Sequence, residues 1–128
     1  MELKRILQGG HFNVFAVVFD NGTCPAADFL TSVKQLNAPS YKSMVNLIKR
    51  HADFGPLLNK RKSRVIEGRE NLLEFKTNQG DRLVYFYTKG RKTILTHGFH
   101  KGAVASEEYD KAEKIRDQYY KETNDGTS

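Results

Sequence analysis

The sequence predicts an α+β domain of order β-α-α-β-β-β-α: a mainly antiparallel twisted sheet, a helical hairpin on one face and a C-terminal helix. Residues 80–99, GDRLVYFYTKGRKTILTHGF, give two strands around a short turn at Thr88 to Lys92, whose Gly90 can take the positive φ such turns need. LLEFKT at 72–77 supplies a strand before that pair, and SEEYDKAEKIRDQYY at 106–120 supplies a helix after it. Upstream, two apolar stripes at helical spacing flank Pro39.

The first strand is HFNVFAVVFD at 11–20, apolar on both alternating faces and therefore a buried strand rather than an edge. Asn21-Gly22 turns the chain. Pro25 suits the first turn of a helix whose Ala26, Phe29, Leu30, Val33 and Leu36 form one stripe. Pro39 interrupts, Ser40 is placed as an N-cap, and Tyr41, Met44, Val45, Ile48 and Ala52 make a second stripe ending near Gly55-Pro56. Val65-Ile66 begins or precedes the next strand, and Glu67 to Glu70 is an irregular turn. In Leu72 to Thr77, Glu74 and Lys76 share a face expected to be wet, while Leu73 and Phe75 face the core. Ser106 is expected to cap the last helix, with Glu107 and Glu108 in its first turn and Tyr109, Ala112, Ile115 and Tyr119 down one side. Residues 1–121 form a single domain, and 122–128 a polar, frayed tail.

A lone cysteine, Cys24, rules out an intramolecular disulfide framework and fits a reducing cytoplasm. No run is apolar enough to span a bilayer, and MELKRILQGG lacks the hydrophobic region of a signal peptide, so a soluble cytoplasmic protein is expected. The net charge of +6 is unevenly spread. Residues 41–101 carry 14 basic against 5 acidic side chains, whereas 102–128 carry 4 against 7. Lys60, Arg61, Lys62 and Arg64 form the densest cluster, as on a surface that meets RNA phosphate or an acidic partner, although a solvated basic loop has the same composition.

Several chemistries have no foothold. His11, His51, His97 and His100 are scattered without metal-ligand spacing, and neither a phosphate-binding glycine loop nor a nucleophile elbow is present. No metal and no cofactor is expected. Acids, bases and cations remain, and these suffice for RNA, which carries its own nucleophile in the 2′-hydroxyl. Arg82, at the start of its strand, is the first candidate, and a surface ion pair with Glu74 or Asp81 is the alternative use of the same side chain.

The succession of an E-x-R/K strand (Glu74, Lys76), an R-x-x-Y-F strand (Arg82, Tyr85, Phe86) and H-G-F-x-K (His97, Gly98, Phe99, Lys101) resembles the RelE superfamily, and within it the HigB-like toxins and their phage-derived relatives. The resemblance covers residues 12–120 and implies a RelE-like fold. It implies a metal-independent endoribonuclease, an mRNA interferase, that cuts ribosome-bound mRNA through a 2′,3′-cyclic phosphate. It also implies a HigA-like antitoxin with a helix-turn-helix domain, with which a heterotetramer could form.

Carried over by motif, Arg82 clamps the scissile phosphate and Lys101 supplies a second charge. Tyr109 matches an aromatic acid/base position, although its place on the apolar stripe fits core packing equally well. Lys76 stands where the family usually has Arg, keeping charge but losing the bidentate fork. Gly102 and Ala105 replace lysines common in HigB-like members, and His100, an imidazole beside Lys101, could compensate by moving a proton. His97 fits a packed strand residue better than a catalytic one. Two other readings share the fold: a ParE-like toxin that binds gyrase, and a catalytically degenerate phage-derived relative that only binds its antitoxin.

Overall fold

The computed structural model describes residues 1–124. Along it run β1 (Glu2–Gln8), β2 (Asn13–Val18), α1 (Pro25–Leu36), α2 (Ala38–Phe54), β3 (Ser63–Val65), β4 (Leu73–Lys76), β5 (Arg82–Thr88), β6 (Lys92–Phe99) and α3 (Ala105–Thr123). The strands form one sheet in the order β1-β2-β6-β5-β4-β3. Neighbours are antiparallel except β2 and β6, which run parallel from Asn13↔Lys92 to Ala16↔Leu95. The α+β class and the mainly antiparallel sheet agree with the sequence expectation.

The helices α1 and α2 cover one face, over a core that includes Phe29, Val33, Met44, Phe75, Leu83, Tyr85 and Leu95. The other face carries α3, whose Ala112 and Tyr119 pack with Val17, Leu72, Val84, Phe86 and Ile94. Phe75, Tyr85 and Phe86 have no exposed surface; each such side chain contributes about 1.5–3 kcal/mol by leaving water. This double burial explains why β5 and β6 lack the alternation of a half-wet strand.

Gly98 fixes how closely α1 approaches the sheet. A Cβ there would lie 2.1 Å from Cδ2 of Phe29, so the aromatic ring occupies the space that any other residue would fill. The glycine of the H-G-F run is thus a packing requirement. At the opposite end of β6, Gly90 (φ 81°) and Arg91 (φ 56°) both take left-handed conformations in the turn from β5. The glycine was anticipated there and the arginine was not.

The structure corrects several sequence expectations. MELKRILQGG, given no strand, contributes β1, which pairs with β2 and covers its edge. A register irregularity between Arg5 and Leu7 breaks the period-2 pattern that would have announced it. Pro39 does not interrupt the second helix but sits in its first turn, and Asn37, not Ser40, is the N-cap, its Oδ1 accepting from the Ser40 N–H at 3.1 Å. Ser40 is instead buried, with its hydroxyl turned into a polar network. Leu36, assigned to an apolar stripe, is 75% exposed at the end of α1. Ser106 is not a cap, because α3 begins at Ala105 after Val104 and no side chain caps it. The first-turn acids Glu107 and Glu108 are where the helix dipole favours them. Glu122 and Thr123, expected to fray, continue α3, whereas residues 125–128 of the expected tail lie outside the described residues. Glu74, expected on a wet face, is fully buried.

Candidate active site

Three strand ends meet at one corner of the sheet. The β4–β5 register sets Lys76 directly opposite Arg82, and the β5–β6 register sets Arg82 opposite Phe99. Beyond Phe99 the chain turns through His100, Lys101 and Gly102. Lys76, Arg82 and Lys101 therefore line one cleft of about 240 Å³, with Phe99, His100 and Gly80. Gly80 (φ 90°) closes the β4–β5 connection, and a Cβ on it would stand 3.0 Å from that of Lys101, so its bareness leaves room for the lysine stem.

Arg82 is held from behind. Its Nη1 donates to the Tyr109 hydroxyl at 2.8 Å, and its guanidinium lies 5.7 Å from the centroid of the Phe99 ring. Its Nε and Nη2 have no hydrogen-bond partner among the described residues, which leaves donors for an anion in the cleft.

The buried carboxylate of Glu74 lies behind this arrangement. It accepts from Tyr109 at 2.9 Å on each oxygen and from Arg64 Nε at 2.8 Å, and Arg82 Nη1 is 3.6 Å away. A buried charge left unpaired costs several kcal/mol, roughly 3–5 when a partner is removed, so these contacts are what allow Glu74 to sit there. Its hydrogen bond to the Glu74 carboxylate holds the Arg64 guanidinium above its ordinary range. Burial, reinforced by the charge of Glu74, pushes the Tyr109 phenol upward, so it is protonated at neutral pH and donates to the carboxylate. Tyr109 thus reaches Arg82 but is not on the wall of the small cleft; it faces a larger cleft of about 800 Å³ together with Arg64 and Lys60.

His100 is on the wall of the small cleft with both ring nitrogens engaged. Nδ1 is 2.8 Å from Asp81 Oδ1, and Nε2 is 3.0 Å from Ser32 Oγ. Asp81 is buried and also accepts from Ser40 Oγ at 2.5 Å, while Ser40 lies 2.7 Å from Thr77 Oγ1. This network ties the start of α2 to the β4–β5 connection. It fixes the orientation of the imidazole in the way a carboxylate orients a catalytic histidine.

His97 is away from this cleft. It is buried, with Nε2 2.9 Å from Glu108. Burial pushes its pKa down, and a neutral ring donating to Glu108 satisfies both groups. For Glu108, burial acts upward, but hydrogen bonds from His97 and Lys111 prevail and hold its carboxyl below the usual range.

The basic cluster divides. Lys60 and Arg61 are exposed, and Lys62 donates to Asn78, another residue of the small cleft's wall. Arg64 is committed to Glu74. Sequence reasoning missed Glu74 and Asp81 as organising groups. The available signal for Glu74 was register: a carboxylate sharing a strand face with Lys76, under a helix bearing Tyr109, needs cationic neighbours. Nothing in the sequence marked the Ser40–Thr77–Asp81 contacts.

Among the described residues no three His, Cys, Asp or Glu side chains are grouped to hold a metal ion, and no helix is long and apolar enough to cross a membrane. No curated protein matches the chain. The family described as phage derived protein Gp49-like (DUF891), which is related to RelE/HigB-type toxins, matches residues 31–120, from the middle of α1 to near the end of α3. With most of the chain inside that match, including every wall residue of the cationic cleft, this protein belongs to the Gp49-like phage-derived family.

Proposed function

We propose that this protein is a toxin of a type II toxin–antitoxin system and a ribosome-dependent mRNA endoribonuclease. The observation that carries the reading is the convergence of Lys76, Arg82 and Lys101 on one cleft. Three cations around a space of that size suit a single backbone phosphate whose negative charge grows in the transition state. The 2′-oxygen attacks phosphorus, the bond to the 5′-oxygen breaks, and a 2′,3′-cyclic phosphate and a 5′-hydroxyl result. The proton lost by the 2′-hydroxyl must be accepted, and one must be delivered to the departing 5′-oxygen. His100, oriented through Nδ1 by Asp81, is the group on the wall suited to that transfer once Nε2 exchanges its contact with Ser32 Oγ for the substrate. Arg82 offers the forked donors for the phosphate, while Lys76 and Lys101 offer point charges.

Lys60, Arg61 and Lys62 extend positive charge beyond the cleft, as a ribosome-bound substrate requires. The resemblance further implies a cytoplasmic helix-turn-helix antitoxin, paired with the toxin as a heterotetramer. Induction of the gene followed by mapping of transcript ends tests the function. Cuts within translated codons ending in 2′,3′-cyclic phosphates are expected, whereas intact transcripts accompanied by DNA damage would favour the gyrase-binding alternative.

A further inference from the structure

We propose that Glu74 is a positioning residue: through Tyr109 it aims Arg82 into the cleft. This rests on the ribonucleolytic reading of that cleft and adds to it a group with no access to the substrate. Glu74 has no exposed surface, yet it is the shared acceptor for a tyrosine and an arginine, with a second arginine close by. The order of donation makes the assembly directional. The Tyr109 O–H donates a hydrogen bond to the carboxylate, and its oxygen accepts one from Arg82 Nη1 at 2.8 Å. One edge of the guanidinium is thereby fixed inward, and the rest is left for phosphate.

Neighbouring groups fit this role better than a merely structural one. The apolar side chains of the α3-side core could fill the space under Tyr109 without any charge, and a buried carboxylate is a poor means of adding stability. What Glu74 adds is direction, since an aliphatic residue there would leave both the phenol and Arg82 free to rotate. Arg64, 45% exposed in its side chain, completes the pairing from the rim and can turn to solvent when Glu74 is changed.

The test is a double-mutant cycle on mRNA-programmed ribosomes, using Glu74→Gln, Arg82→Ala and the pair, with folding followed by thermal melting. Glu74→Gln is expected to slow cleavage about 10- to 100-fold, the scale of an ångström of misplacement, with KM changed much less than kcat. On the Arg82→Ala background the same change is expected to have no further effect on rate. Full additivity of the two losses, or an unaltered rate in folded Glu74→Gln, would overturn the proposal. Tyr109→Phe, which removes only the hydroxyl, gives the same reading should Glu74→Gln fail to fold. Side-chain N–H resonances of Arg82 supply an independent readout: anchored and slowly exchanging in the wild type, averaged in Glu74→Gln. If the wild type cuts no RNA while those resonances respond as expected, the functional reading fails and the positioning role survives; unchanged resonances in the variant would overturn the positioning role.

Discussion

Lys76 and Arg82 face one another directly across the β4–β5 ladder, two like charges in register at the end of the sheet. Such a pair is destabilising, on the order of 0.2–1 kcal/mol relative to a neutral one. Arg82 offsets part of this through Tyr109 and Glu74, whereas Lys76 has no ion pair among the described residues. In the proposed function, the anion is bound between the members of this pair.

Replacing Lys76 by Met should therefore separate stability from activity. Denaturant unfolding is expected to show a gain of up to about 1 kcal/mol, while RNA cleavage and growth inhibition fall. A variant both less stable and fully active would speak against an anion site at this corner.

Gly98→Ala should be severely destabilising, because the new methyl meets the Phe29 ring at 2.1 Å. Overpacking of this kind costs about 1–3 kcal/mol or more. Phe29→Ala on that background relieves the clash, so the double variant should be less damaged than the sum of the two single changes predicts, as measured by urea midpoints.

His51 should make stability fall in mild acid. It is fully buried beside the rings of Phe12, 4.6 Å away, and Tyr87, 6.0 Å away, and its Nε2 is 2.8 Å from Thr93 Oγ1. Burial lowers its pKa from 6.5 to about 4, with a smaller push from His11. Between those values the unfolded chain binds a proton that the folded protein refuses, so the contribution is complete above about pH 6.5 and is lost as pH falls toward 4. Its size is roughly 3 kcal/mol. His51→Phe should flatten the stability profile in that window, and an unchanged slope would assign the effect to other groups, His97 first, whose burial acts in the same direction.

Asp81→Asn should loosen the cleft without emptying it of cations. The buried carboxylate joins His100 to Ser40, so its replacement weakens both the imidazole's orientation and the attachment of α2. A stability loss of about 1–3 kcal/mol is expected, with a reduced cleavage rate in the folded variant as the distinguishing measurement. An unchanged rate with only lower stability would leave Asp81 a purely structural role.

The strands from 72 to 99 and the helices were legible because their apolar periodicity is strong and their turns carry glycine where positive φ is needed, as at Gly55 and Gly90. The β1 strand was not, since adjacent exposed Lys4 and Arg5 and the irregularity before Leu7 erase the alternation. Candidate cations could be named from motif, and the register of β4, β5 and β6 determines which of them share a cleft. Glu74 was named as a partner for Arg82, but its burial escaped notice for a physical reason: alternation assigns a face but does not say what covers it, and here α3 covers it with Tyr109. The same holds for Ser40, whose sequence context describes a cap while its neighbours in space make it part of a buried network.

The most direct measurement is cleavage of mRNA on programmed ribosomes by purified wild type and Arg82→Ala, with circular dichroism and melting confirming that both are folded. Arg82 supplies forked donors that neither Lys76 nor Lys101 can replace, so a rate loss of about 100-fold or more is expected at nearly unchanged stability. Equal cleavage by the folded variant would contradict a phosphate-binding role for this cleft.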